Sequence, residues 1–383
     1  MKRGINGKGR LLSQTASKCQ SGGLDVPLNG KEPQMKRTTI GLDIAKHIFQ
    51  SHAVDAESGE VTRTKLKRAD VLSHFAQLQP SLIVMEACGS AQHWAREFVK
   101  LGHKVKLIGA QFVRPFVKTN KNDAADAQAI WTAAQQPEMR FVAVKTEEQQ
   151  AVLALHAVRE RLKKNRTAAV NQIHGLLGEF GVALPKGWRG MLPKAAAALD
   201  DATSSVPALL RPQLRKQLEE VRQVTVQIEG VERQIASWLR RQGDCERIAA
   251  IPGVGLLTAT AAVATVGETA TTFRSGRQFA AYLGLVPRQT GTGGRVQLHG
   301  ISKRGDSYLR MLLIQGAKSV LVSSKASKGP NTWLGRLTQR RPHNVACVAL
   351  ANKMARQIWA LLAHQAKYEP NHGLTAAAPA AAA

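Results

Sequence analysis

The hydrophobic pattern changes its period twice along this chain. Between residues 35 and 145, runs rich in β-branched and apolar residues alternate with segments of helical periodicity; the runs lie at 38–42, 82–85 and 104–108. Strands that alternate with helices are typical of an α/β layer, in which helices cover a central sheet. Residues 35–145 are therefore predicted to form an α/β domain.

The second stretch, residues 146–243, has a helical pattern throughout. Near its end, apolar residues recur at steps of three and four: Val221, Val224, Ile228, Val231, Ile235 and Trp238. This seam predicts a long helical coiled-coil segment, with the proline-containing stretch 181–212 as the turn between two long helices. The seam serves either as plain core or as a dimerisation surface, and the pattern leaves both open.

Residues 244–367 are first rich in glycine, threonine and arginine and then helical again. We predict a mostly α-helical C-terminal domain. The segment IPGVG at 251–255 resembles a helix-hairpin-helix turn, whose glycines let backbone amides approach a phosphate. Gly253 and Gly255 are candidates for that contact, although an ordinary helix corner uses the same glycines.

The two ends of the chain lack such patterns. We expect residues 1–34 to be a disordered or non-native extension and residues 368–383 to be a disordered tail. Nowhere does an apolar stretch reach the ~18 residues of a membrane span. Four cysteines without a CxxC pair exclude a disulfide scaffold and offer no zinc-ligand spacing. A soluble protein of the reducing cytoplasm fits these observations.

Basic residues outnumber acidic ones by 54 to 27, which gives a formal net charge of +27. Self-repulsion of this size favours a polyanionic partner, and nucleic acid is the obvious one because each neutralised phosphate releases a counterion. Between Arg295 and Arg341 a run of lysines and arginines faces a single acid, Asp306. This run predicts a phosphate-facing surface, although such a run is often only a solvated face.

Four of the scarce carboxylates occupy special places. Asp43 and Glu86 follow two predicted strands, and Asp123 and Asp126 are spaced i, i+3 on one predicted helix face. Carboxylate oxygens in such a cluster suit hard divalent cations, and two cations could activate a nucleophile on a phosphodiester. Singly, each acid is better explained as a turn cap, an ion-pair partner or a helix N-terminal charge; together they predict a metal site.

At this point the chain resembles a known family, the DEDD transposases or RuvC-like recombinases of the insertion-sequence IS110 family. Several C-terminal segments look like its IS1111 group. The resemblance covers about residues 35–367 and rests on segments in the family's order: GLDIAK at 41–46, MEACGS at 85–90, KNDAADA at 121–127, IPGVG at 251–255, FAAYLGLVPRQ at 279–289, GISKRGD at 300–306 and HNVA at 343–346.

The resemblance implies an RNase H-like fold in which Asp43, Glu86, Asp123 and Asp126 form an acidic tetrad that binds Mg²⁺. It also implies a second centre in the C-terminal domain, where a serine attacks DNA and becomes covalently linked to it. Members of the family act as dimers or tetramers on donor and target double-stranded DNA. A structured non-coding RNA guides them by pairing with both DNAs. Because their substrate is DNA, the resemblance also implies a cytoplasmic protein associated with the bacterial nucleoid.

This chain departs from the family at the serine. Thr292 stands at that position, Thr290 is a second candidate if the segment is aligned two residues differently, and Ser302 is a third. A threonine hydroxyl can do the same chemistry when it is activated. Four further residues are given supporting roles: Arg288 and Arg295 would stabilise charge on the reacting phosphate, and Lys303 and Arg304 are predicted phosphate contacts. The sequence around Ser302 also fits a phosphate contact better than a nucleophile.

Three functions remain in view. The first is an RNA-guided DNA recombinase with a covalent protein–DNA intermediate, the second a RuvC-like endonuclease that uses water, and the third a nucleic-acid-binding protein without catalysis. The tetrad suits the first two equally. The C-terminal segment with its glycine- and threonine-rich loop has no role in the second, so the first is the prediction.

Overall fold

The computed structural model describes residues 38–117, 123–266, 273–323 and 332–370; the expected extension at 1–34 and the tail beyond residue 370 lie outside them. The first part is built on a six-stranded sheet in the order β3-β2-β1-β4-β5-β6. Its strands are β1 (Thr39–Ile44), β2 (Ile48–Val54), β3 (Val61–Lys67), β4 (Leu82–Glu86), β5 (Lys104–Ile108) and β6 (Phe141–Val142).

The sheet is mixed. The strands β1, β2 and β3 form an antiparallel meander, while β4 and β5 run parallel to β1. Helices cover both faces, because the central strands are apolar on both sides. These helices are α1 (Val71–Ala76), α2 (Ala91–Lys100), α3 (Ala110–Val113) and α4 (Asp123–Ala134). One apolar core lies between the sheet and α1 and α2, and a second lies beneath α3 and α4.

Three helices follow: α5 (Glu147–Glu179), α6 (Trp188–Asp200) and α7 (Arg211–Arg240). A capping box at Thr146 begins α5. The pairs Arg159–Glu232 and Gln172–Gln217 show that α5 and α7 run antiparallel. All six residues of the predicted seam are buried or half-buried in the single chain; Val221 packs with residues of α5 and α6, and Trp238 packs with the C-terminal helices.

The last part is mainly helical, with α8 (Gly243–Ala249), α9 (Leu256–Val266), α10 (Gly276–Tyr282), α11 (Ser307–Ser323), α12 (Trp333–Arg340) and α13 (His343–Ala363). Between α10 and α11 a two-stranded hairpin, β7 (Pro287–Thr292) and β8 (Arg295–Ile301), extends into solvent. A large core joins these helices and includes Val152 of α5 and Trp238 of α7.

The predicted α/β unit and the mostly helical C-terminal part are confirmed. A central sheet that begins with an antiparallel meander and continues with parallel strands is consistent with an RNase H-like domain. The coiled-coil segment and the helix-hairpin-helix turn stay predictions. Sequence reasoning missed β2, β3, β6 and α6, and it took the hairpin for a loop.

Candidate active site

Two carboxylates stand side by side at the carboxyl ends of neighbouring parallel strands. Leu42 of β1 pairs with Met85 of β4, so the next residues along, Asp43 and Glu86, reach the same edge of the sheet. Both are half-buried. The end of each strand therefore carries an acid to the edge at which α/β folds place their ligands.

Helix α4 adds two more acids to this edge. Asp123 and Asp126 occupy its first turn, and oxygens of Asp43, Asp123 and Asp126 all lie within 4.8 Å of one another. Glu86 lies outside this tight group, although its charge still acts on Asp43. All four predicted acids thus lie at one edge of the sheet, and three of them form the tight group. Residues 118–122, which directly precede Asp123, fall outside the described ranges.

Gly41 lets α4 come this close. A Cβ at this position would lie 2.7 Å from the Trp131 backbone nitrogen and 2.8 Å from the Trp131 Cβ, and it would also overlap the Ala127 carbonyl. Real Cβ atoms do not approach other atoms so closely, so only glycine permits direct contact between α4 and β1. The contact holds the first turn of α4 beside Asp43.

The pKa of Asp43 is raised to about 6, first by burial and then by the charges of Asp126, Asp123 and Glu86. The site therefore concentrates negative charge, and within the described ranges no lysine or arginine forms an ion pair with these aspartates. Oxygen-only donors with this charge fit a hard divalent cation, because a cation would relieve the repulsion that raises the pKa.

The predicted nucleophiles lie on the exposed hairpin. Thr290 and Thr292 belong to β7, and Ser302 follows β8 directly, with its backbone N–H donating to the Val286 carbonyl. A two-residue turn of Gly293 and Gly294 closes the hairpin, and both glycines have positive φ angles, 55° and 78°. The hydroxyl of Thr290 lies 2.6 Å from Nε2 of His299.

The predicted phosphate contacts divide into two groups. Arg288 and Arg295 are exposed on the hairpin. The backbone of Lys303 and Arg304 packs against Gly284, where a Cβ would lie 2.5 Å from the Arg304 nitrogen, and Lys303 takes the unusual φ of 55°. This close contact requires glycine at position 284, and it leaves both basic side chains exposed.

The turn at 251–255 joins α8 to α9, as the sequence predicts. Gly253 has a φ of 89° and a Cβ there would lie 2.8 Å from the Gly316 carbonyl, so this glycine permits close packing against α11. Gly255 faces open space. Phosphate contact by either residue stays a prediction. Of the predicted basic run, Lys325 and Lys328 lie outside the described residues.

Sequence reasoning overlooked the particular roles of Gly41 and His299. Gly41 was noticed only as part of a motif, because its role depends on which helix packs over it. His299 has no metal-ligand spacing to another histidine, and its contact with Thr290 crosses two strands. The glycine pair flanked by alternating residues was a hairpin signal that could have revealed the two strands.

Comparison with known proteins gives the family. The family model of the DEDD transposases of IS110, which carries the description "Transposase", matches residues 40–181. A second family model, "Transposase IS116/IS110/IS902 family", matches residues 245–331. A probable family 20 transposase of Pseudomonas aeruginosa is 48% identical over 338 residues, which cover 88% of this chain and 100% of the relative.

Two further relatives are named as transposases of particular elements. The transposase for insertion sequence element IS1111A of Coxiella burnetii is 44% identical over 86% of this chain and 90% of its own length. The transposase for IS1328 of Yersinia enterocolitica is 40% identical over 84% of this chain and 96% of its own length. In the described ranges no helix has both the length and the apolar character needed to cross a bilayer. With both halves matched and identity sustained over most of its length, the chain belongs to the IS110 family of insertion-sequence transposases.

Proposed function

We propose that this transposase cuts and rejoins DNA strands through a covalent protein–DNA intermediate, with Asp43, Glu86, Asp123 and Asp126 as its acidic centre. The observation that carries the acidic centre is the meeting of three aspartates within 4.8 Å at one sheet edge, and the exposed hairpin with its threonine hydroxyls favours a covalent intermediate over hydrolysis. A structural role for these acids would not require a glycine contact that forces like charges together. The family supports the same conclusion, because DNA is the substrate of a transposase.

The acidic centre fits Mg²⁺. Asp43, Asp123 and Asp126 would hold it, with Glu86 completing the tetrad from the neighbouring strand. A bound divalent cation supplies positive charge that stabilises the negative charge developing on a scissile phosphate. The chain's own part is to fix the carboxylates by the end of β1, the end of β4 and the first turn of α4, so that they need not reorganise on binding.

The nucleophile is a hydroxyl of the hairpin region, with Thr292 as the choice from sequence and Thr290 and Ser302 as the alternatives. Exposure of the hairpin gives a DNA strand access to each of them. Arg288 and Arg295 on the same hairpin supply positive charge to the attacked phosphate. A covalent link conserves the energy of the broken phosphodiester, so the strand can be rejoined to a new partner without an external energy source.

We further propose that a structured non-coding guide RNA and both donor and target DNA bind the strongly basic surface, to which Lys303, Arg304, Gly253 and Gly255 contribute phosphate contacts. The net charge of +27 supports more than one nucleic-acid partner. A dimer or tetramer would bring the acidic centre of one copy to the hairpin of another.

An end-cleavage assay tests the proposal. It combines the purified full chain, labelled duplex DNA from the element's end, RNA transcribed from the flanking non-coding DNA, and Mg²⁺. On a denaturing gel a covalent adduct appears as a DNA band retarded by protein and sensitive to protease. We expect Asp43→Asn and Asp123→Asn to lower adduct yield at least ~100-fold, and removal of Mg²⁺ by chelation to do the same.

Asp70→Asn is the matched control, since Asp70 is an exposed aspartate outside the acidic centre and should leave the yield unchanged. Cleaved DNA without an adduct at any time would contradict the covalent step and assign the chain to hydrolytic endonucleases. Salt-sensitive binding without cleavage in the unmodified chain would contradict catalysis altogether.

A further inference from the structure

The hairpin presents two chemically different faces. Thr290 pairs with Gln297 and Thr292 pairs with Arg295. Because side chains alternate along a strand, these four residues share one face, while Val296 and Leu298 point to the other. One face of an exposed two-stranded ribbon is therefore polar and carries both threonine hydroxyls.

A histidine also belongs to the polar face, because the alternation that places Arg295 and Gln297 there extends to His299. Pairing shifts by one residue between Pro287 and Gln289. His299, two residues beyond Gln297, lies diagonally across from Thr290, and its Nε2 is 2.6 Å from the Thr290 Oγ1. The hydroxyl donates to Nε2 in the tautomer that carries its proton on Nδ1. In the part of the chain that the structure describes, the Thr292 hydroxyl has no hydrogen-bond partner.

We infer that His299 is the general base for Thr290, and that Thr290 is therefore the hydroxyl that attacks DNA. The inference rests on the proposed covalent mechanism. Its support is geometric: a nucleophile within hydrogen-bond reach of a base is the arrangement that activates a weakly acidic hydroxyl. Among the three hydroxyls proposed from the sequence, only Thr290 has an imidazole of the described residues within this reach.

The step balances within the named groups. Oγ1 of Thr290 forms a bond to the phosphorus of a phosphodiester while its proton moves to Nε2 of His299. The bond from phosphorus to one deoxyribose oxygen breaks, and that oxygen leaves with the bonding electron pair and takes a proton from the imidazolium. The reverse sequence, with a deoxyribose hydroxyl as attacker, rejoins DNA and frees Thr290.

The surroundings of the pair suit this role. Two charged residues belong to the polar face or its edge, Arg288 and Arg295, and both are cations that would attract the phosphate to the hydroxyl. A hydrogen bond placed there only to stabilise the exposed hairpin would contribute little to the stability of the whole protein, so its removal would leave a folded protein. Variants of this pair can therefore be compared without loss of the fold.

The test uses the end-cleavage assay with five variants. We expect Thr290→Val to abolish the adduct, Thr290→Ser to keep it, and Thr292→Val to reduce the yield less than ~5-fold. His299→Ala and His299→Gln should each slow adduct formation ~10²–10⁴-fold, the range for loss of a general base. Added imidazole should restore part of the rate to His299→Ala and none to Thr290→Val. Peptide mapping should place the phosphate on Thr290.

Each contrary result has a distinct meaning. An adduct mapped to Thr292 or Ser302, with Thr290→Val still active, would overturn the inference and leave the covalent mechanism standing. A near-normal rate in His299→Gln, which keeps a hydrogen-bonding side chain, together with a loss in His299→Ala that imidazole does not rescue, would show a structural hydrogen bond and overturn the role of the base. Cleavage by every hairpin variant without an adduct, together with inactive Asp43→Asn, would overturn the covalent mechanism itself.

Discussion

Gly41 is the residue through which the sheet and the acidic helix touch. Gly41→Ala should push α4 away from β1, because the added Cβ would lie 2.7–2.8 Å from atoms of Trp131. Displacement by about 1 Å would separate Asp123 and Asp126 from Asp43 and lower the rate of adduct formation ~10–100-fold, with a loss of about 1–3 kcal/mol in the free energy of unfolding.

The end-cleavage assay and urea denaturation measure the two effects. Gly89→Ala is the control, since Gly89 lies close to Glu86 in sequence and a Cβ there meets nothing within 4 Å. Full activity in Gly41→Ala would show that the acids do not depend on this contact.

Single residues also show how far sequence reasoning reaches. The strand alternation placed Asp43 and Glu86 at strand ends, and the i, i+3 spacing placed Asp123 and Asp126 on one helix face, because both rules are local. The role of Gly41 and the contact between Thr290 and His299 depend on which segments meet in three dimensions. No local periodicity carries that information, so these residues became visible only in the fold.

At the scale of elements, His156 ties α5 to the C-terminal helices. It is 1% exposed, with Tyr308 OH 2.9 Å from Nδ1 and Thr260 Oγ1 3.0 Å from Nε2. The Thr260 hydroxyl donates to the Leu256 carbonyl, so it accepts from Nε2–H, and Nδ1 accepts from Tyr308. Both nitrogens of the neutral imidazole thus have a hydrogen-bond partner. Protonation of Nδ1 would place its N–H opposite the donating hydroxyl of Tyr308, and two donors cannot bond to each other.

Burial, together with the nearby Arg159, lowers the pKa of His156 from 6.5 to about 4. Between these values the unfolded chain binds a proton that the folded chain does not. The stability contributed by neutral His156 is therefore fully present above pH 6.5 and falls as the pH drops toward 4. Between pH 7.5 and 5 we expect a loss on the order of 2 kcal/mol in the free energy of unfolding.

Urea denaturation at both pH values checks this expectation. Comparison with His156→Gln isolates the contribution of one group, since the variant should lose stability at pH 7.5 yet show a smaller change between the two pH values. His47→Gln, at an exposed histidine, should behave like the unmodified chain. An identical pH dependence in His156→Gln would contradict the assignment.

Helices with a long, regular apolar repeat were predicted correctly, whereas a helix whose formation depends on tertiary packing was missed. The helices α5 and α7 follow from their sustained apolar spacing. Helix α6 was missed because Pro193 interrupts its pattern and lowers its helix propensity. Its apolar face, with Met191, Ala195 and Leu199, is buried against α5 and α7, and that burial outweighs the local preference.

For the whole molecule, the net charge of +27 makes DNA binding strongly dependent on salt. With several phosphates neutralised, affinity for a random-sequence duplex should fall ~10³–10⁵-fold between 50 and 200 mM salt. Fluorescence anisotropy of a labelled duplex measures the slope. Asp43→Asn should bind at least as tightly as the unmodified chain, since it removes a negative charge. A slope near zero would contradict binding through phosphates.

Helix α5 belongs to two cores at once: Val152 packs with the C-terminal helices, and Ile173 and Leu177 pack with α6 and α7. Its 33 residues span about 50 Å as one unbroken rod. One residue inserted between the two contacts would rotate the side chains of one contact by about 100° around the helix axis relative to the other and shift them by about 1.5 Å along it. Over evolutionary time this helix can therefore change its residues freely on the outer face but hardly its length, and a viable insertion would have to come as whole heptads matched by α7.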